Sequence, residues 1–180
     1  TSLLMDTVYQ RLSQGADLQS AMQSGQLAVL KEPKLAHPFF WAPFNLIGNW
    51  RVIHACLPHV VERRGYVLGV ASAAAIAPSL GLGPYCASKA GYEMLLDVLR
   101  LEVAHLGVAV GCAYFLWIDT DMVRGADRDI PSFHHMREQQ RPAFLRRTHP
   151  VGEAAQVIVD GVLGRRRGIY APGWLRILSR

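Results

Sequence analysis

The sequence predicts an α/β fold built on a parallel sheet, and three observations carry that expectation. Apolar runs at residues 65–72, 108–115 and 168–172 are short, nearly continuous and bounded by turn residues, as strands covered on both faces are. The segments between and before them, 44–63, 85–106 and 150–163, instead carry apolar residues at helical spacing. Finally, a chain of 180 residues that is 51% hydrophobic and 18% charged can bury one sizeable core.

The elements follow in order. Residues 3–13 and 17–30 read as helices polar enough to be peripheral, and Pro33, Pro38 and Pro43 make 31–43 the natural junction between an N-terminal segment, 1–43, and a region 44–180. The helix at 44–63 has an apolar stripe of Leu46, Ile47, Trp50, Ile53, Leu57, Val60 and Val61; Pro58 should kink it and Arg63-Arg64-Gly65 should stop it. A buried strand over 65–72 then ends at Ser72, and Gly81, Gly83 and Pro84 mark a loop before the helix at 85–106. That helix is expected to turn Ala87, Met94, Leu95, Val98 and Leu101 inward and to cross over, right-handed, to a parallel strand at 108–115. Residues 123–149, rich in Arg, His, Pro and Gln with scattered Phe133, Met136 and Phe144, read as a loop region. The closing helix, 150–163, is expected to face Ala154, Ala155, Ile158, Val159 and Val162 inward before a last strand at 168–172.

Proton-transfer chemistry is concentrated at Tyr85-Cys-Ala-Ser-Lys89. A Tyr four residues before a Lys shares one helix face with it, one turn apart, so an ammonium beside the phenol should favour phenolate. Lys occurs only at positions 31, 34 and 89, Arg being the usual cation of this chain, so a compact ammonium here is a specific choice. Ser72 lies where a strand's carboxyl end opens into the crevice that ligands use in open α/β sheets.

With these residues in place, the segments Val67-Leu-Gly-Val-Ala-Ser-Ala-Ala-Ala75 and Pro84-Tyr-Cys-Ala-Ser-Lys-Ala-Gly91 resemble the catalytic strand, loop and helix of the short-chain dehydrogenase/reductase family. Phe44-Asn-Leu-Ile-Gly48 resembles the start of that family's helix carrying an active-site Asn. The resemblance implies a Rossmann-like three-layer fold and an NAD(P)-dependent oxidoreductase that interconverts an alcohol and a ketone or aldehyde. It implies that Asn45 holds a relay water, Ser72 bonds the substrate oxygen, Tyr85 is the acid/base, and Lys89 binds cofactor ribose and tunes Tyr85. Trp117-Ile-Asp-Thr-Asp-Met122 resembles the end of the family's Pro-Gly-x-x-x-Thr motif, with Phe115-Leu116 in the Pro-Gly place, which makes the Ile118 backbone and Thr120 candidate cofactor contacts. A small alcohol or carbonyl substrate, a homodimer or homotetramer, and a lid over 123–149 are implied by the same resemblance.

Upstream the pattern changes. Residues 1–44 contain only Gly15 and Gly25 and no T-G-x-x-x-G-x-G turn to cradle a pyrophosphate, so the cofactor-binding part reads as truncated or replaced. Residues 19–48, with Leu27-Ala-Val-Leu-Lys31 and His37-Pro-Phe-Phe-Trp-Ala-Pro-Phe44, resemble the end of a caspase-like CHAT domain. The missing turn leaves an alternative function open, a non-catalytic relative that serves as an oligomerisation or interaction module.

Other classes are disfavoured. The net charge of +5 is dispersed, and Arg165-Arg166-Arg167 suits a helix C-terminus better than nucleic acid. Residues 65–87 carry no charge, but their Gly, Pro and Ser fit a strand, loop and helix start rather than a membrane span. No secretory signal is visible, so the cytoplasm is expected. Cys56, Cys86 and Cys112 are too scattered for a disulfide framework, the seven His form no helical metal pair, and no metal is expected. Asp119 and Asp121 flank an expected cap at Thr120 and are read as favouring a helix N-terminus.

Overall fold

Helices α1 (Ser2–Ser13) and α2 (Leu18–Lys31) form a hairpin whose turn is set by Asp17. Its carboxylate accepts from the Ser20 amide at 3.1 Å and from the Ser20 hydroxyl at 2.6 Å, satisfying donors that a helix start leaves open. The computed structural model describes residues 2–32, 46–79, 82–129 and 131–179. It divides into two units, Thr1–Phe44 and Asn45–Arg180. Although the first two helices read as peripheral, Leu4, Val8, Ala21 and Val29 give the first unit a small core of its own.

The second unit begins with α3 (Leu46–Glu62), which holds Pro58 and packs Ile53, Leu57, Val60 and Val61 into the core. Strand β1 (Tyr66–Val70) leads by a short 3-10 turn, Ala73–Ala75, to α4 (Gly83–Val103), with Pro84 in its first turn, where the missing N–H costs nothing. Strand β2 (Ala109–Phe115) runs parallel to β1, with Val70 opposite Ala113. A two-residue strand β3 (Trp117–Ile118) precedes α5 (Asp121–Asp129) and α6 (Pro131–Glu138). After a 3-10 turn at Ala143–Arg146 come β4 (Thr148–His149), α7 (Val151–Leu163) and β5 (Gly168–Ala171). The main sheet has the order β1-β2-β5, all parallel, and β3 and β4 form a separate parallel pair.

Strand alternation places helices on both faces of this sheet. Tyr114 of β2 sends its hydroxyl to Glu93 of α4 at 2.7 Å and stacks on its register partner Tyr170 of β5. The neighbouring Ile169 points the other way, against Gly161 of α7. This is the α/β, Rossmann-like layering expected from the sequence.

Three expectations need correction. On α4 the buried residues are Tyr92, Leu96, Leu99 and Val103, whereas Met94, Val98 and Leu101 are exposed at 62%, 44% and 79%. The helix carries two apolar stripes, and the one holding Tyr92 and Leu96 packs on the sheet. On α7, Ala154 is buried but Val159 and Val162 face outward, because Gly161 forms the close approach to β5. Residues 123–149 are not one irregular loop. They hold α5, α6 and β4, tied together where Arg137 donates to Asp127 through Nε at 2.9 Å and again through Nη2, and to the Arg146 carbonyl at 2.8 Å.

Candidate active site

The site is assembled at the carboxyl end of the parallel strands, where β1 stops and α4 begins. Ser72 is extended and caps the 3-10 turn that follows β1, its Oγ accepting from the Ala74 amide at 3.2 Å. This cap fixes the backbone of Ser72 and leaves its hydroxyl proton free to serve another acceptor. Tyr85 lies in the first turn of α4, and its phenol is close enough to the Ser72 hydroxyl for the two groups to interact. Lys89, one turn on, places Nζ 5.6 Å from the centre of the Tyr85 ring, in cation–π range.

The electrostatics differ from the sequence expectation. Burial pushes the Tyr85 phenol above its ordinary value, the interaction with Ser72 pulls it part of the way back, and Cys86 adds a further upward push. Lys89 lies over the ring face, not beside the oxygen, so it does not offset the cost of burying a phenolate. Burial likewise lowers the Lys89 ammonium below its usual value. The resting site therefore holds a protonated phenol, a state suited to giving a proton.

Ile118 and Thr120 sit just beyond β2, whose carboxyl end lies beside that of β1. The Thr120 amide donates to the Ile118 carbonyl at 2.8 Å, and Thr120 caps α5: the Arg124 amide donates to its carbonyl at 2.9 Å and the Val123 amide to its Oγ1 at 3.4 Å. Asp119 and Asp121 both engage Arg124, at 2.8 and 2.9 Å, so they serve the helix start and are not a catalytic pair. Asn45 lies outside the described residues. The structure thus brings Ser72, Tyr85 and Lys89 together and sets Ile118 and Thr120 at the same sheet end.

Lys89 tests whether a nicotinamide cofactor fits. Its half-buried ammonium meets no carboxylate among the described residues, so its donors are available to a polyhydroxyl group such as a ribose. The residues expected near the nicotinamide ribose therefore suit such a ligand.

One connection is not visible in the sequence. Trp117, in the segment leading to Thr120, packs edge-on against Phe133 of α6 at 5.5 Å and donates through Nε1 to Gln140 at 3.1 Å. The segment bearing Ile118 and Thr120 is thereby anchored to α6 and to the residues that follow it.

Among the described residues no group of His, Cys, Asp and Glu could hold a metal ion, and no helix is long and apolar enough to cross a membrane. Cys56, Cys86 and Cys112 are free thiols, with Cys112 pushed up to about 11, chiefly by burial.

Comparison with known proteins agrees with this fold. Residues 42–131 match the family model for short chain dehydrogenase, and residues 1–49 match that for the CHAT domain. An uncharacterized oxidoreductase of Myxococcus xanthus is 27% identical over 137 residues, 76% of this chain and 48% of its own length. The 17-beta-hydroxysteroid dehydrogenase type 6 of Homo sapiens is 36% identical over 108 residues, 58% of this chain and 32% of its own. The structure of a short-chain dehydrogenase from Sphingobium yanoikuyae in complex with NADPH superposes with a TM-score of 0.55 at 22% identity, over 68% of this chain and 44% of that one, a likeness of fold. The chain spans about half the length, or less, of the curated relatives it matches. With half of its residues matched by that one family model and its sheet built as in such structures, the chain belongs to the short-chain dehydrogenase family.

Proposed function

We propose that this chain carries the catalytic residues of an NAD- or NADP-dependent oxidoreductase that interconverts an alcohol and a ketone or aldehyde. The observation that carries the proposal is the meeting of Ser72, Tyr85 and Lys89 at the end of β1. In the reducing direction, Ser72 hydrogen-bonds the carbonyl oxygen and Tyr85 gives it the phenolic proton. When bound, the nicotinamide supplies the hydride that the carbonyl carbon receives, so the product gains one hydride and one proton and becomes an alcohol. In the oxidising direction Tyr85 takes that proton back. Lys89 holds the cofactor ribose and, with it in place, stabilises the tyrosinate left after proton transfer. Asn45 holds a water through which Tyr85 is reprotonated, and Ile118 and Thr120 contact the nicotinamide side.

The chain works as a homodimer or homotetramer in this reading, and the exposed stripe of Met94, Val98 and Leu101 on α4 supports that. A cytoplasmic location accords with three free thiols. The segment 1–43 stands apart from this chemistry, and 44–180 bears it.

Substituting Tyr85→Phe tests the proposal, since it removes the proton and little volume. Alcohol- or carbonyl-dependent turnover of nicotinamide, followed by absorbance, should fall by about 10²–10⁴-fold while the fold persists. Turnover unchanged in that variant would overturn the assignment. The absent glycine-rich turn favours a second reading, a non-catalytic oligomerising module, under which the parent chain shows no turnover with either cofactor.

A further inference from the structure

We infer that a second site, distinct from the Tyr85 crevice and independent of its reading, binds a small polyanion bearing two or more phosphate or carboxylate groups. It is the cleft of about 440 Å³ between α4, the Arg166–Gly168 segment and the 3-10 turn Gly173–Leu178. Arg100, Arg166, Arg167 and Arg176 line it, against two carboxylates, Glu93 and Asp97.

Both acids are already engaged. Asp97 bonds Arg100 through a short contact and lies 3.9 Å from Arg167, and Glu93 accepts the Tyr114 hydroxyl at 2.7 Å. Arg166 and Arg176 meet no carboxylate among the described residues, so the cleft keeps two positive charges uncompensated. Planar guanidinium forks suit phosphate and carboxylate oxygens in a way that a hydrated ammonium does not.

Part of the frame of the cleft is fixed. The Arg166 backbone is held on both sides, its carbonyl accepting the Tyr66 hydroxyl at 2.7 Å and its amide donating to Gly161 at 2.9 Å. The Tyr170 ring stacks on Tyr114, 5.0 Å between centres and 7° from parallel, and its hydroxyl lies back over Gly168. A Cβ on Gly168 would stand 2.4 Å from that hydroxyl, so glycine is what lets Tyr170 lie there. The Tyr170 hydroxyl, with no hydrogen bond to another described residue, is a third donor beside the two arginines. A concave cavity of this volume is of small-molecule size. Glu93 follows Tyr85 by eight residues, roughly 12 Å along the helix, which separates the two sites.

Isothermal titration of the whole chain with inorganic pyrophosphate at low ionic strength tests this. The expected result is saturable one-to-one binding that weakens with salt and falls about tenfold in R166Q/R176Q. Tyr170→Phe, which keeps the stacked ring, should weaken it about threefold, a smaller loss because a neutral donor is removed. Lys89→Met should leave it unchanged. Absence of saturation up to about 10 mM, where specific recognition has faded, would overturn the inference. So would equal affinity in a folded R166Q/R176Q variant, or loss of binding in Lys89→Met, which would place the anion in the Tyr85 crevice.

Discussion

Replacing Gly69 with alanine probes the contact that sets the distance between the strand leading to Ser72 and the helix bearing Tyr85. Gly69 is buried in β1, and a Cβ there would lie 2.3 Å from Leu96 Cδ1 and 2.8 Å from the Tyr92 hydroxyl of α4. Leu96 is fully buried and Tyr92 is 9% exposed, so neither can swing into solvent to make room. Overpacking of this kind costs about 1–3 kcal/mol. At about 2–4 °C per kcal/mol for a chain of this size, the melting temperature should fall by roughly 2–12 °C. Gly152, in the first turn of α7, has nothing within 4 Å of its Cβ position. Gly152→Ala should therefore be neutral or stabilising by up to about 1 kcal/mol. Thermal unfolding of both variants beside the parent, followed by circular dichroism, makes the comparison. If Gly69→Ala melts at or above the parent temperature, the tight approach of β1 to α4 is wrong, and with it the placement of Ser72 against Tyr85.

Further outcomes follow from the same structure. Tyr85→Phe should lower turnover by about 10²–10⁴-fold, the range for losing a positioned acid/base, while shifting stability by no more than about 1.5 kcal/mol; steady-state kinetics and thermal unfolding read the two effects separately. Stability should fall as pH rises above about 9, the ordinary cysteine value, and further above about 10, the unperturbed tyrosine value. Burial leads the upward shifts of Tyr66, Tyr85, Tyr92 and Tyr114, and raises Cys112 to about 11, so the folded state holds protons that the unfolded state releases. That stabilisation is complete below the unfolded values and is lost as pH climbs through the folded ones. Lys89, shifted down, works in the opposite sense but alone; denaturant titrations at several alkaline pH values would show the net sign, and a rise in stability would contradict it. Arg137→Ala should loosen the packing of α5 and α6 by about 2–4 kcal/mol, because it leaves Asp127, 19% exposed, without its main partner. Faster proteolytic cleavage within 131–147 than in the parent is the expected readout, and an unchanged cleavage rate would contradict it.

What the sequence made legible, and what it did not, follows from the range of the interactions. The strands β1, β2 and β5 are local apolar runs, and Tyr85 and Lys89 are neighbours through helix geometry alone, so both could be read from spacing. The inward face of α4 could not, because Met94, Val98 and Leu101 repeat at the same helical interval as the stripe that packs on β1 and β2. Only the sheet decides between the two. The position of Lys89 over the ring, instead of beside the phenol oxygen, depends on side-chain torsions that residue spacing does not specify. The start of α5 was legible in its Thr120 cap, but α6 was hidden by polar composition, since its place comes from the Arg137–Asp127 pair and the Trp117–Phe133 contact. The arginine cleft was out of reach for a similar reason: its walls come from residues 93–114 and 166–179 and meet only when β5 pairs with β2.

The most direct test of the central claim is a fluorescence titration of this chain with NADH and with NADPH, using its four tryptophans as reporters. Saturable binding of at least one cofactor at micromolar concentration, weakened in Lys89→Met, is the predicted result. Absence of binding by either up to millimolar concentration would contradict the oxidoreductase reading for this chain and leave the non-catalytic module in its place.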